Sequence, residues 1–257
     1  MRVLARKFCG DMKTRLDKLL FERGFANSRE RAQALILAGK VLVNGQKIEK
    51  SGTEIDVEST IRLLGEDLKY VSRGGLKLDK ALEHWKIAVS GKTCVDVGAS
   101  TGGFTDCLLQ NGAAKVIAID TGHGQIDFKL REDLRVRLLE KTNARYLTRE
   151  QLGELADMIV MDVSFISATL VLPAVVAAAF GESARGRQII VLVKPQFEAG
   201  REHVGKGGIV KDEAVQNAAA EKVRNCLVDL GAVSTDVIDS PILGAEGNRE
   251  FLLYARF

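Results

Sequence analysis

Residues 96–105 read DVGASTGGFT. Val95, just before them, and Val97 suit a buried parallel strand, and an apolar helical run follows as far as Gln110. In between, Gly98, Ala99, Ser100, Thr101, Gly102 and Gly103 are small residues that fill little space. A strand-to-helix turn of this kind leaves bare backbone at the carboxyl end of a strand, where open α/β sheets bind ligands. The expectation is a strand over 94–97, a glycine-rich turn, a helix over 103–110, and a ligand lying against the turn.

Further strands follow in order. KVIAID ends in Asp120, and RVRLLE leads to Lys141, Thr142 and Asn143. DMIVMDVSF reaches Asp162, and RQIIVLVKPQF reaches Lys194. AVSTDVIDSPI and EFLLYARF flank LGAEGN and read as a closing hairpin. Helices are expected over 149–155, 167–180 and 212–230. Five parallel strands with a terminal antiparallel pair predict an α/β fold of the class I methyltransferase kind, Rossmann-like, with a seven-stranded, mostly parallel sheet. A dehydrogenase-like fold shares the alternation, so the turn chemistry has to discriminate.

Asp120 lies about twenty residues beyond the turn, where a carboxylate can hydrogen-bond a ribose diol. A dinucleotide is the first candidate. The turn is not G-x-G-x-x-G, however, and Asp96 precedes its first glycine, where a carboxylate would repel a pyrophosphate. An acid at that point suits a ligand with a cationic end, a sulfonium bearing an amino-acid tail, and so S-adenosylmethionine. The candidate cofactor contacts are Asp96, Gly98, Ala99, Ser100, Thr101, Gly102, Gly103, Phe104, Asp120, Asn143 and Asp162.

Asp162, Lys194 and Glu250 interrupt apolar strand ends, where an unpaired charge costs desolvation. Lys77 begins an amphipathic helix with Leu78, Ala81, Leu82 and Trp85 on its apolar stripe, and lies off that stripe. A cation at a helix N-terminus opposes the macrodipole. These four residues form either a structural ion-pair network or a catalytic group in one crevice. The catalytic option suits methylation of a ribose 2′-hydroxyl. A lysine amine that gives up its proton readily can serve as base, a role assigned to Lys194. Lys77 would hold phosphate or act on its neighbour by like charge, with Asp162 and Glu250 orienting the lysines and the hydroxyl.

The front of the chain differs in charge. Residues 1–62 hold 13 Lys/Arg and 8 Asp/Glu, against 24 and 26 in the remainder. RLDKLLFERG puts Leu16, Leu19 and Leu20 on one helical face, with Gly24 as its stop. NSRERAQALILAGK opens with Asn27 and Glu30 in capping-box spacing, then Ala32, Leu35 and Ile36, and ends at Gly39. VLVNGQKI is a hairpin turning at Asn44-Gly45. Arg15, Lys18, Arg23, Arg29, Arg31 and Lys40 occupy the polar faces and, with Arg73, are the candidate RNA contacts. Few aromatics lie among them, so shape and backbone recognition of folded RNA is expected.

This stretch resembles the small RNA-binding fold of the ribosomal protein S-four family, which implies RNA binding by a small α+β domain. YVSRGGLKL, DVGASTGGFTDCLLQNGA, MDVSFIS, KPQFEAGREHVGKGGIV and SPILGAEGNREFLLY resemble the TlyA family, hemolysin-named bacterial proteins related to the FtsJ ribosomal RNA 2′-O-methyltransferases. The resemblance implies cytidine 2′-O-methylation of ribosomal RNA with S-adenosylmethionine, ribosomal subunits as partners, and a Lys-Asp-Lys-Glu tetrad at Lys77, Asp162, Lys194 and Glu250. The hemolysin name leaves a membrane-active protein as the alternative from another class, and a non-catalytic RNA-binding scaffold as a third. The expected organisation is a loose lead over 1–12, the RNA-binding domain over 13–62, a linker over 63–72, and the methyltransferase domain over 73–257, in which Arg73-Gly74-Gly75 is a flexible approach to the first helix. The glycine-rich loop over 196–208 is a clamp or a plain connector.

Composition narrows the rest. The 257 residues are 46% apolar and 28% charged, which suits a soluble protein with a real core. The longest apolar run, Ala168–Phe180, is too short to span a membrane, and no secretory leader is read. Cys9, Cys94, Cys107 and Cys226 are scattered without a CxxC pair, so reduced thiols in a cytoplasmic protein are expected. His84, His123 and His203 suggest no metal site. Oligomeric state is left open.

Overall fold

The computed structural model describes residues 13–26, 28–64, 69–181, 184–244 and 247–257. The lead over 1–12, with Cys9, and the expected cap residue Asn27 lie outside them. The chain forms two compact units that divide between residues 67 and 68.

The first unit runs β1 (Lys13–Arg15), α1 (Leu16–Glu22), α2 (Arg29–Leu37), β2 (Val41–Val43), β3 (Gln46–Lys47), β4 (Glu54–Asp56) and β5 (Ile61–Leu63). Leu16, Leu19 and Leu20 of α1 pack with Ala32 and Ile36 of α2 on Val41 and Val43 of β2. Asn44 and Gly45 both have positive φ, 50° and 82°, the left-handed pair that a two-residue hairpin turn needs. Three details differ from expectation. The cap of α2 is Ser28, whose Oγ accepts from the Arg31 N–H at 3.1 Å. β1 pairs with β4, and β5 pairs with β2; these three-residue strands have too little alternation to announce themselves. Residues 63–72 are not all linker, because Leu63 pairs with Val41 and Tyr70 is buried in the second unit.

The second unit begins with α3 (Gly74–His84), then β6 (Thr93–Val97), α4 (Gly103–Gln110), β7 (Lys115–Ile119), α5 (Phe128–Arg131), β8 (Val136–Leu139) and α6 (Arg149–Leu152). It continues with β9 (Met158–Met161), α7 (Ala168–Phe180), β10 (Gln188–Val193), α8 (Pro195–Glu198), α9 (Glu213–Asp229), β11 (Ser234–Asp239) and β12 (Phe251–Arg256). The seven-stranded sheet has the order β11-β12-β10-β9-β6-β7-β8. β12 is antiparallel to both neighbours, and the other pairings are parallel. Strands buried on both faces read as continuous apolar runs, and the pleat sends alternate side chains to two separate cores. Val95, Val97, Ile159 and Met161 meet α7 and α9 on one face. Cys94, Met158 and Val160 meet α3 and α4 on the other.

Gly74 and Gly75 belong to α3, so the expected flexible approach is helix instead. A Cβ on Gly75 would sit 2.4 Å from the Tyr70 ring, which explains the glycine. Residues 70–71 are fastened here: Tyr70 Oη donates to Asp79 at 2.7 Å, and the Val71 N–H to Asp106 at 2.9 Å. Among the described residues no helix is long and apolar enough to cross a membrane, and no three His, Cys, Asp or Glu side chains cluster as a metal site would need.

Candidate active site

The sheet register brings distant segments level. Val97 of β6 lies opposite Met161 of β9, and Met161 opposite Val191 of β10. Val193 lies opposite Phe251. The next residues out are Gly98, Asp162, Lys194 and Glu250, all at the carboxyl edge of the parallel strands. At Gly98, φ is 85°, and a Cβ would fall 2.4 Å from the Asp162 carbonyl oxygen. Only glycine allows the two strand ends to approach this closely. The Gly98 and Ala99 N–H groups both donate to the Ile119 carbonyl, at 2.9 and 3.1 Å, and draw the turn back toward β7.

Two cavities open on this turn and share Gly98, Ser100 and Asp162 as walls. The first, of about 260 Å³, is lined also by Arg73, Lys77, Ala99, Thr101, Gly103 and Phe104. The second, of about 440 Å³, is lined by Asp120, Asn143 and Phe165. Asp120 Oδ2 accepts from the Ser100 N–H and Oδ1 from the Gly122 N–H, each at 2.7 Å, which ties the glycine turn to the end of β7. Asn143 accepts from the Arg145 N–H at 3.1 Å. Arg73, grouped by sequence with the RNA contacts, is a wall of the first cavity.

Asp96 and Gly102 line neither cavity. Gly102 turns the chain with φ 93°, and Leu130 covers the place of its missing Cβ. Asp96 points into the α4 face of the sheet, is fully buried, and accepts from Thr105 Oγ1 at 2.7 Å. Burial pushes its carboxyl up to about 7, with Asp162 and Asp120 adding to the rise and Thr105 opposing it. The carboxylate expected to face a sulfonium therefore ties the end of β6 to α4 through one oxygen, and its Oδ1 is buried without a hydrogen-bond partner. An acid raised on folding holds more protons than the unfolded chain from about pH 4 to about pH 7, so stability falls as pH rises through that window. In chemical denaturation, Asp96→Asn is expected to flatten that decline and to gain a few kcal/mol on wild type at pH 8, because each tenfold change in proton affinity on folding is worth about 1.4 kcal/mol.

The four charged candidates form two ion pairs. Lys77 Nζ donates to Glu250 Oε2 at 2.5 Å, with the two side chains 11% and 2% exposed. The helical pattern puts Lys77 off the apolar stripe, and it is nevertheless buried. Lys194 Nζ lies 2.6 Å from Asp162 Oδ1, a charge contact without hydrogen-bond geometry. The directed bond of that amine goes to Ser164 Oγ at 2.7 Å. Lys77 and Asp162 line the first cavity, whereas their partners Glu250 and Lys194 line neither cavity and reach it only through these contacts.

Phe165 is absent from the candidates that the sequence suggests. It lines the second cavity, is 90% exposed, and has φ 64°. A bulky side chain in the left-handed region is strained, and such strain collects at ligand clamps. Its ring centroid is 5.2 Å from that of Phe197. The sequence shows only an aromatic after Asp162; its exposure and backbone are properties of the turn.

In the first unit, buried Asp17 gathers Arg15, Arg29 and Gln33 at 2.9, 3.2 and 2.8 Å. The Arg15 guanidinium holds the Asp17 carboxyl well below the usual range, and Gln33 and Arg29 add to this against burial. Arg23 donates to the Ser59 and Val57 carbonyls. Lys18 pairs with Glu22 at 3.6 Å, and Arg31 and Lys40 are exposed. Thus Arg15, Arg23 and Arg29 serve the fold as well as the surface charge.

Residues 70–257 match the FtsJ-like methyltransferase family and residues 14–61 the S4 domain. The TlyA protein of Mycobacterium tuberculosis, named a 16S/23S rRNA (cytidine-2′-O)-methyltransferase, is 44% identical across 95% of this chain and 90% of its own. The chain belongs to the TlyA family of FtsJ-like methyltransferases. Hemolysin A of Brachyspira hyodysenteriae, another member, is 43% identical over 93% of this chain and 98% of its own length. A solved hemolysin-named structure from Streptococcus thermophilus superposes with a TM-score of 0.70 at 43% identity, covering 96% of this chain and 89% of that one. The TlyA-family chain described here accordingly joins an S4 domain to a methyltransferase domain.

Proposed function

We propose that this chain is an S-adenosylmethionine-dependent enzyme that methylates the 2′-hydroxyl of cytidine in ribosomal RNA. The observation that carries the reading is the pair of lysine–carboxylate contacts at the carboxyl edge of the sheet, beside a cavity rimmed by glycine backbone. The two adjoining cavities, of about 260 and 440 Å³, have the scale of small-ligand sites. Their walls suit the cofactor: Asp120 for a ribose diol, and the bare 98–103 turn for a chain laid against backbone. When bound, S-adenosylmethionine supplies an electrophilic methyl group.

The remaining work falls to side chains of this protein. Lys194 accepts the 2′-hydroxyl proton, and Asp162 stabilises the ammonium so formed while Ser164 fixes the amine. Lys77, neutralised by Glu250, lines the entry and orients the nucleotide. Alignment of reacting atoms can contribute roughly 7–11 kcal/mol, which fits a site assembled on rigid strand ends. Phe165 offers an exposed face on which a base can stack. Base–aromatic stacking contributes about 1–3 kcal/mol, so Phe165→Ala should raise the KM for ribosomal RNA about tenfold and leave cofactor affinity within a factor of two. An unchanged KM would remove Phe165 from substrate binding.

The domain over 13–62 supplies affinity for the ribosomal subunit, and the domain over 73–257 the chemistry. A ribosomal substrate implies a cytoplasmic protein. The side chains of Lys18, Arg31 and Lys40 make no bond to Asp17, so replacing them with glutamine changes surface charge and leaves the Asp17 cluster in place. The slope of log K against log salt should then become shallower by about 2, at about 0.7–0.9 per lost phosphate contact. An unaltered slope would contradict RNA binding by this face. The function itself is tested by incubating ribosomal RNA with the protein and labelled S-adenosylmethionine, with label in cytidine 2′-O-methyl as the expected product.

A further inference from the structure

Glu198 lies outside both cavities, yet it is 7% exposed and fully engaged. Its Oε1 accepts from the Ala168 N–H at 2.6 Å, and its Oε2 from Ser167 Oγ at 2.5 Å. Lys222 of α9 stands 3.4 Å from Oε2 and donates to the Glu198 carbonyl at 2.9 Å. Ala168 is the first residue of the 13-residue helix α7, whose own N-cap, Ser167, makes no side-chain capping bond. Glu198 thus supplies an anionic cap from another segment, at the helix end where negative charge is favoured.

The two segments it joins are the catalytic ones. Glu198 ends α8, a single turn whose N-cap is Lys194 and whose Phe197 N–H bonds the Lys194 carbonyl at 2.9 Å. Ser167 and Ala168 directly follow the segment that carries Asp162, Ser164 and Phe165. Three ties therefore connect the turn after β9 to the turn after β10: the Lys194 amine with Asp162 and Ser164, the Phe165–Phe197 ring contact, and the Glu198 cap. In the first two, Asp162, Ser164 and Phe165 line the second cavity and meet whatever enters it. The cap is buried and anchored to α9 through Lys222.

We propose that Glu198 is a positioning residue, which fixes the Lys194 turn against the Asp162 turn and so sets the reach of the Lys194 amine. This rests on the reading of Lys194 as the base. Glutamine at this position keeps one acceptor oxygen for the Ala168 N–H, and its amide can donate to Ser167 Oγ; alanine keeps neither.

The test measures steady-state methylation of ribosomal RNA, cofactor affinity by calorimetry, and thermal melting for each variant. Glu198→Ala should lower kcat about 30-fold, with the KM for both substrates and the cofactor Kd within a factor of two. Glu198→Gln should recover kcat to within about fivefold of wild type. Ser167→Ala removes one tie and leaves the carboxylate bonded to Ala168, so it should show the same split at about threefold; it decides the matter if Glu198→Ala does not fold. Wild-type kcat in a folded Glu198→Ala protein, or in Ser167→Ala when that variant alone folds, would overturn the proposal. So would a loss that tracks the unfolded fraction or the cofactor Kd. Absence of ribosomal RNA methylation by the wild-type protein would instead defeat the functional reading beneath it.

Discussion

Replacing Lys194 by alanine is expected to lower kcat for ribosomal RNA methylation by about 10²–10⁴-fold, the usual contribution of a positioned general base. Lys194 follows β10 directly, and its amine reaches both Asp162 Oδ1 and Ser164 Oγ. No other lysine among the described residues is paired with Asp162. The glycine turn, Asp120 and Asn143 are untouched by the change, so calorimetric affinity for S-adenosylmethionine should stay within a few-fold of wild type. That split between turnover and cofactor binding separates a base from a structural cation. Turnover near wild type would show that the proton leaves by another route.

Glu250→Ala is expected to have the largest effect on stability. Glu250 is 3% exposed and is the ion-pair partner of Lys77, whose side chain is 11% exposed. Removing one member of a buried pair leaves the other as an uncompensated charge and typically costs roughly 3–5 kcal/mol. A melting shift on the order of 10 °C follows for a domain of this size. The double variant Lys77→Met/Glu250→Leu should recover most of that loss, because apolar side chains of similar volume often replace such a pair without penalty. It should remain inactive. A single variant as stable as wild type would mean that water already solvates Lys77.

Much of the frame is legible in the sequence because the signals are local. The 94–110 strand, turn and helix follow from apolar strand residues against glycine, and the Asn44-Gly45 hairpin from left-handed turn geometry. What escapes is carried by distant partners. The amphipathic pattern puts Lys77 off the apolar stripe, and only Glu250, 173 residues away, explains its burial. Asp96 looks like a ligand contact because it stands beside the glycine turn; the pleat instead sends it to the α4 face and Thr105. β1, β4 and β5 depend on pairings across the small unit. Likewise, nothing local to KPQFE says that Glu198 caps a helix 30 residues earlier. The tetrad is legible through family resemblance. The register of β9, β10 and β12 sets Asp162, Lys194 and Glu250 at one edge of the sheet, and the ion pair with Glu250 ties Lys77 of α3 to that edge.

Mapping of methylated positions in ribosomal RNA, after incubation of purified subunits with the wild-type protein and labelled S-adenosylmethionine, tests the central claim most directly. New label confined to 2′-oxygens of cytidine, and missing with Lys194→Ala, is the predicted result. Label on a base atom, on another class of acceptor, or undiminished in the Lys194 variant would contradict it.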